Sequence, residues 1–377
     1  MTKIVIDIIG DICPTDDYKS FWEKEELVGL MKSCIHESSL VVVNLECPAT
    51  DSDTTIEKSG PCQKALPSCV ATLKKAGVGL MSLANNHIKD FGDQGVLDTF
   101  KYCNEQELPY IGAGENKKEA ARPFFFQNSD KIIGFLSFAE YEFNGATDTS
   151  PGANIFDAYL SLELIQKTKK ECDFLIVLYH GGIEHYSYPS PELQKKCRAM
   201  IRMGADAVIC QHSHCIGTYE YYQNGYILYG QGNGVFGYRN GNVTWNEGLW
   251  LTLTMNDNGI QADYKLLQAT ATGIITASNE AEDNRLMQLK DDSTKLADQA
   301  FIKKSWLDFC KSQEALDMPL LCGWPLQMIR LNRFFRGKLF KAIIGKRAKM
   351  ATMNFLHCDA LREVVTTLLE HYIWKKN

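Results

Sequence analysis

Short runs of β-branched and other apolar residues recur along the chain: IVIDII at 4–9, LVVVNL at 40–45, VGLMSLA at 78–84, IIGFLSFA at 132–139, FLIVLY at 174–179, AVIC at 207–210 and YILYG at 226–230. Runs of this length and content predict strands. Between them, residues 19–36, 63–76, 93–107, 157–171 and 191–203 are longer and rich in Lys, Glu and Leu, which predicts amphipathic helices. Strands alternating with helices predict an α/β domain with part of its sheet parallel. Near residue 280 the pattern changes to the polar EAEDNRLMQLKDDSTKLADQ, and then to an α-like region. We therefore expect a main domain over 1–275, a polar linker over 276–300 and a basic helical extension over 301–377.

Most polar residues of chemical interest stand where an expected strand runs out. Asp11 follows the first run, Glu46 the second, Asn86 and His87 the third, His180 the fifth, and His212 with His214 the sixth. In open α/β sheets ligands bind outside the carboxyl ends of the strands, where loops converge. His212 and His214 in QHSHC, two apart in a loop taken as extended, point one way, and neutral imidazole is a common ligand for transition metals. A pair of surface histidines is the plain alternative. His180 in LYHGGIEHY leaves a strongly apolar strand beside two glycines that allow a close turn. Glu184 and His185 follow it as residues that orient ligands or stay in solvent.

In ANNHIKDFG, Asn86 offers a neutral oxygen beside the titratable His87, which suits a metal-bound oxyanion with a proton donor next to it. Asn85 and Asn86 also fit a helix cap or turn, and Asp90 either holds His87 or is an ordinary helix charge. Glu46, behind four apolar residues, places a carboxylate at the edge of the core, which is costly unless it is paired or binds metal. Asp11 stands alike, with Gly10 expected to permit a tight turn. Carboxylates and histidines from separate strand ends form a mixed O/N set suited to Mn, Fe or Zn, with donors enough for two divalent metal ions. Asp7, four residues before Asp11, lies too far along the strand to share an ion with it.

Composition narrows the setting. With 45% hydrophobic and 23% charged residues the chain reads as a folded, soluble protein. The opening MTKIVIDIIGDIC is interrupted by Asp7 and Asp11, too short for a signal-peptide core or a membrane span. The 13 cysteines show no CxxC pair, and we expect reduced thiols and a cytoplasmic address. The net charge of −6 is uneven: residues 301–377 hold 14 Lys and Arg against 6 Asp and Glu, net +8, and the rest 26 against 40, net −14. The acidic bulk argues against nucleic acid as a partner of the main domain.

The segments IIGDIC, VVNLECP, SLANNHIKDFG, YIGAGENKKEAARP, LYHGGIEHY, QHSHC and YGQGNGVF, in that order over about 1–270, resemble the bacterial capsule-synthesis family CapA, associated with poly-γ-glutamate formation, within the calcineurin-like metallophosphoesterases. The resemblance implies a four-layer α-β-β-α sandwich with a dinuclear site at one end. It assigns Asp11 and His214 to one metal, Glu46 as the bridge, Asn86, His180 and His212 to the other, and His87 as the catalytic proton donor. Asn85, Asp90, Glu184 and Asn233 remain as residues that orient ligands or touch substrate. The broad pattern has a histidine two places after the first aspartate; here that place is Cys13, a small buried hydrophobe by its surroundings. Gln211 stands where glycine is common.

Two functions follow from the resemblance. One is a hydrolase that directs a metal-activated hydroxide at a phosphoester, or a related ester or amide, in capsule or surface-polymer biosynthesis. The other is a non-catalytic component that binds anionic polymer, and the missing histidine favours it. Either implies an anionic or phosphorylated small molecule or polymer as partner. Outside the resemblance, residues 328–349 carry eight basic residues and no acid among apolar ones. They predict a helix that lies on an anionic membrane, at its inner face, or on a capsule-synthesis partner, or else packs on the main domain.

Overall fold

Every one of the seven apolar runs is a strand, and the strands build two sheets. The computed structural model describes residues 3–14, 21–22, 26–36 and 40–374. Its strands are β1 (Ile4–Ile12), β2 (Leu40–Leu45), β3 (Val78–Ser82), β4 (Tyr110–Ile111), β5 (Ala113–Gly114), β6 (Phe124–Asn128), β7 (Lys131–Ala139), β8 (Gly152–Ala153), β9 (Phe174–His180), β10 (Ala207–Gln211), β11 (Tyr219–Tyr222), β12 (Gly225–Leu228), β13 (Asn233–Val235), β14 (Glu247–Asn256), β15 (Gly259–Thr270) and β16 (Gly273–Thr276). One sheet runs β16-β15-β14-β1-β2-β3-β4, with β13 against the end of β1; the other runs β11-β12-β10-β9-β7-β6. β1, β2, β3 and β4 are parallel, as are β7, β9, β10 and β12, so the carboxyl ends of each set share an edge.

Alternation along the strands sorts side chains into layers. Ile4, Ile6, Ile8, Val42 and Leu80 of the first sheet meet Phe135, Ile176, Leu178, Ile209 and Leu228 of the second in an apolar core between the sheets. Ile9, Val41 and Val43 point the other way, onto Leu27, Met31, Val70, Leu73, Val96 and Phe100 of the helices Glu26–Cys34, Ser68–Lys75 and Gly92–Glu105. Leu175, Val177 and Val208 likewise meet the helices Leu160–Lys169 and Pro191–Arg202 through Ile165, Leu193, Cys197 and Met200. The result is a four-layer α-β-β-α sandwich. Of the helix expected over 19–36, residues 19–20 and 23–25 lie outside the described residues.

Contacts divide the chain into Met1–Lys303 and Lys304–Asn377, so the stretch 276–300 falls within the first unit. The stretch 276–300, expected as a linker, holds the helix Asn279–Thr294, opened by the Ser278 hydroxyl accepting from Ala281 N–H at 3.4 Å. Its polarity misleads because few of its side chains face inward, Leu289 reaching the core between the sheets. The second unit is helical. Residues 328–349, expected as one helix, fall instead across three, Leu326–Phe334, Lys338–Ile343 and Lys346–His357, because left-handed Gly337 (φ 79°) and Gly345 interrupt them. Asn332, wholly buried, donates to Ala315 C=O at 2.9 Å and accepts from Phe340 N–H at 2.9 Å, tying the first two to the helix Gln299–Leu321. Among the described residues, no helix is long and apolar enough to cross a membrane.

Candidate metal centre

The carboxyl ends of the two sheets bring the strand-end residues to one place. Asp11 sits near the end of β1, just past a break in register with β2, and Glu46 follows β2, its N–H bonded to Ile12 C=O at 2.8 Å. His180 is the last residue of β9, and His212 and His214 leave β10. Gly10 serves a close approach rather than a turn: the Gly232 carbonyl occupies the space a Cβ would need. The loop after β10 is not extended, since His212 and His214 both have positive φ, 89° and 49°. Left-handed backbone is uncommon for histidine and marks a conformation that the surroundings impose.

Two trios share one carboxylate. Ligand atoms of Glu46, His180 and His212 lie within 4.8 Å of one another, as do those of Asp11, Glu46 and His214, and all five residues are buried. Among the described residues, neither oxygen of Glu46 has a hydrogen-bond partner, nor has Nδ1 of His212. Glu46 Oε1 lies 3.4 Å from His180 Nε2 and 3.8 Å from His214 Nε2. A buried carboxylate in this state is expensive unless something else satisfies its lone pairs, and a cation in each trio would do so. Asn86 joins the first trio, its Oδ1 3.0 Å from His180 Nε2.

Electrostatics follow from burial against pairing. Burial alone would depress His180, but the charge of Glu46 and the hydrogen bond and charge of Asp11 push it up to about 10. Burial likewise raises Asp11, and the hydrogen bond and charge of His180 outweigh that and hold it at about 2. His212 is held well below the ordinary histidine value by burial and by His180 and His214, which leaves a neutral imidazole. Neutral imidazole is the form that binds metal.

Around the trios stands a shell of amides. Asn44, which sequence reasoning passed over, donates to Asp11 Oδ1 at 2.7 Å and lies 3.2 Å from His180 Nδ1. Its signal was a lone amide inside an apolar run. Asn233 Oδ1 meets His214 Nδ1 at 2.9 Å, and Asn233 Nδ2 donates to Trp245 C=O at 2.7 Å. Asn85 donates to Leu45 C=O at 2.7 Å and accepts from His87 N–H at 3.1 Å, so it positions the loop. Cys13 belongs to neither trio; its thiol faces Cys47 in the helix-side core. Asp7 lies apart from both trios, accepting from Thr252 at 2.7 Å and from His36 N–H at 3.1 Å.

His87 stands beside the trios and belongs to neither. Its Nδ1 is 2.6 Å from Asp90 Oδ2, and Asp90 also accepts from Gln63 N–H at 2.7 Å. Lys58, from a loop with no strand or helix pattern, reaches Asp90 Oδ1 at 2.5 Å with its side chain only 3% exposed. Glu184 is exposed, pairs with His185 at 3.7 Å, and meets none of the trio residues in a hydrogen bond or ion pair. Glu142 comes closer: it accepts from Asn86 Nδ2 at 3.4 Å and lies 3.6 Å from His212 Nε2. A cavity of about 190 Å³ opens here, lined by Lys58, Gln63, Asn86, His87, Glu142, Glu184, His214, Arg239 and Trp245 among others.

The family model described as "Bacterial capsule synthesis protein PGA_cap" matches residues 5–238. The chain belongs to this family. Both trios, Asn86, the His87–Asp90 pair and Asn233 all lie inside the PGA_cap match, and Arg239 and Trp245 just beyond it. The chain is 34% identical over 174 residues to the "Capsule biosynthesis protein CapA" of Bacillus anthracis, covering 44% of this chain and 42% of the relative. It is 31% identical over 170 residues to the "PGA biosynthesis protein CapA" of Bacillus subtilis (strain 168), covering 44% and 45%. The matches span less than half the length of these relatives. Solved structures similar to the chain include a putative 5'-nucleotidase from Staphylococcus aureus in complex with alpha-ketoglutarate, at 16% identity, TM-score 0.44 and coverage of 77% and 58%. A phosphatase from Mycoplasma pneumoniae is similar at 13% identity, TM-score 0.44 and coverage of 77% and 99%. Likeness of this depth says nothing of the reaction.

Proposed function

We propose that the site holds two divalent metal ions and that the protein hydrolyses a phosphoester, or a related ester or amide, of an anionic molecule or polymer in capsule or surface-polymer biosynthesis. The observation that carries this is Glu46, buried with both oxygens unpaired and shared by two trios of ligand atoms. Asp11, Glu46 and His214 would hold one ion; Glu46, His180 and His212, with Asn86 beside them, would hold the other. The mixed oxygen and nitrogen donors suit Mn, Fe or Zn. Such ions, when bound, polarise a phosphoryl or carbonyl oxygen and make water nucleophilic at neutral pH.

The chain's own groups do the rest. Asp90 takes Nδ1 of His87 and leaves Nε2 to carry a proton to the departing oxygen. Asn44 and Asn233 hold Asp11, His180 and His214 in orientation. Against turnover stands one observation: Cys13 faces the core, so the Asp11 trio has three donors from side chains and none from that position. A protein that only binds anionic polymer would need no more.

One experiment separates the two. Purified protein is analysed for metal and assayed on a panel of phosphoesters and γ-glutamyl peptides, beside His212→Ala and His87→Ala. His212→Ala is expected to lose metal and turnover together. His87→Ala is expected to keep its metal and to slow by roughly 100-fold on poor leaving groups, less on nitrophenolate. Equal metal loss in both would make His87 a ligand or structural residue. Wild-type protein that binds metal and cleaves nothing would leave the polymer-binding function.

We also place the protein in the cytoplasm, with residues 328–349 as its contact to an anionic membrane surface or a capsule-synthesis partner. All 13 cysteines are free, and Cys197 and Cys210 lie 3.5 Å apart as thiols, which supports a reducing compartment. Leu331, Phe334 and Phe335 are exposed next to Arg330, Arg333 and Arg336, a pairing of apolar and basic groups that suits such a surface. Sedimentation with anionic vesicles that fades as salt rises tests it.

A further inference from the structure

Among the described residues, the cavity beside the trios has one cation that is in no salt bridge, Arg239, with the Glu184 carboxylate as the charge that acts on it. The Arg239 guanidinium lies 3.1 Å from the centre of the Trp245 ring. Its backbone is fixed on both sides by Asn246, whose Oδ1 accepts from Arg239 N–H at 2.9 Å and whose Nδ2 donates to Arg239 C=O at 2.7 Å. Trp245 in turn donates its indole N–H to Gly237 C=O at 2.7 Å and packs on His214, ring centres 4.7 Å apart. One indole and one imidazole therefore connect Arg239 to Glu46. Among the described residues Arg239 has no salt bridge, whereas Lys58, the other cation lining the cavity, is committed to Asp90.

We propose that Arg239 is a binding residue for a second anionic group of the substrate, a carboxylate or phosphate set apart from the group that reaches the metal trios. The physical reason is pre-organisation. A guanidinium stacked on an aromatic face and anchored through its own backbone loses little freedom on binding, and its planar fork matches two anionic oxygens. Its contacts lead to the trios through Trp245 and then His214, which assigns it to an anionic group other than the one at Asp11 and Glu46. The substrate class is thus a molecule or chain with at least two anionic groups, and a monoanion would engage only the trios. The inference rests on the metal-site proposal for the first anchor alone.

The test is equilibrium binding, which needs no turnover. Metal-loaded wild type, Arg239→Met and Arg239→Lys are titrated calorimetrically with inorganic phosphate, tripolyphosphate and a triglutamate peptide. Arg239→Met keeps an apolar stem over Trp245, and matching thermal melts confirm that it folds. It is expected to weaken a multiply charged probe by roughly 10-fold, as loss of one charge-assisted hydrogen-bonded pair does, and to leave inorganic phosphate unchanged. Arg239→Lys is expected to recover only part of the loss, because an ammonium lacks the fork. A loss confined to tripolyphosphate identifies a phosphate site; a loss confined to triglutamate, a carboxylate site. Equal affinity of wild type and Arg239→Met for both multiply charged probes, or an equal loss for inorganic phosphate, overturns the proposal. Arg239-dependent binding without hydrolysis on any substrate would uphold it and defeat the hydrolase reading instead.

Discussion

The backbone N–H of His212 donates to Asp11 Oδ2 at 2.8 Å, a bond between residues 201 positions apart that joins the edge of one sheet to the edge of the other. It lets one carboxylate hold the loop that carries His212 and His214 on the opposite sheet, and it accompanies the left-handed φ of His212. Replacing the carboxylate by an amide keeps the shape but removes the charge and one of the two accepting oxygens. We expect Asp11→Asn to remain folded and to bind roughly half the metal of wild type, because the Asp11 trio empties first. Metal analysis after gel filtration measures this, and unchanged metal content would remove Asp11 from the ligands.

Asn44 is a buried hub, donating to Asp11 and placed against His180 while accepting from Asn85 Nδ2 at 3.3 Å. Asn44→Leu fits the volume but strands three polar partners. A loss of about 1–3 kcal/mol in urea stability is expected, with metal affinity lower by roughly 10- to 100-fold in competition with a chelator. Wild-type affinity would show that the ligands orient themselves.

The Lys58–Asp90 pair is almost fully buried, 3% and 1% exposed. Breaking such a pair from one side leaves a charge without a partner and costs about 3–5 kcal/mol. Asp90→Asn is therefore expected to be much less stable than the double variant Lys58→Met with Asp90→Asn. Metal content should survive in the double variant, whereas turnover on poor leaving groups should fall, since His87 has lost its orienting carboxylate. Additive stability losses would mean that the two charges do not act as a pair.

Burial lifts the Cys103 thiol from the ordinary 9.0 to about 12, and Cys69 beside it is raised as well. The folded state therefore disfavours the thiolate. Its stabilising effect is complete below pH 9 and is lost as pH rises toward 12, because the unfolded chain ionises first. Relative to Cys103→Ala, wild type should lose about 1.4 kcal/mol per pH unit across that window, read from urea midpoints at pH 8 to 11. Parallel curves for the two proteins would show that Cys103 titrates freely when folded.

Much of the architecture was legible because local pattern carries it. Short continuous apolar runs gave all seven expected strands, and a polar residue at the end of a buried run is delivered to the sheet edge, which is how Asp11, Glu46 and His180 stood out. Where side chains alternate in a less apolar register the signal faded. β15 is mostly half-exposed, and β14, β15 and β16 complete the first sheet without having been expected. The helix Asn279–Thr294 escaped for the same reason, since it has one buried side chain, Leu289.

The amino-acid sequence by itself determined the alternation of strands and helices, the polar residues at the strand ends and the break from a strand-rich to a helical region. Only the tertiary structure decided that Glu46 is shared between two trios, that Lys58 locks Asp90, that Asn44 braces Asp11 and that Arg239 stacks on Trp245. Each of these pairs residues from separate elements or irregular loops. Their meeting depends on how two sheets stack and where loops without periodicity travel, and no local pattern of apolar and polar positions encodes either.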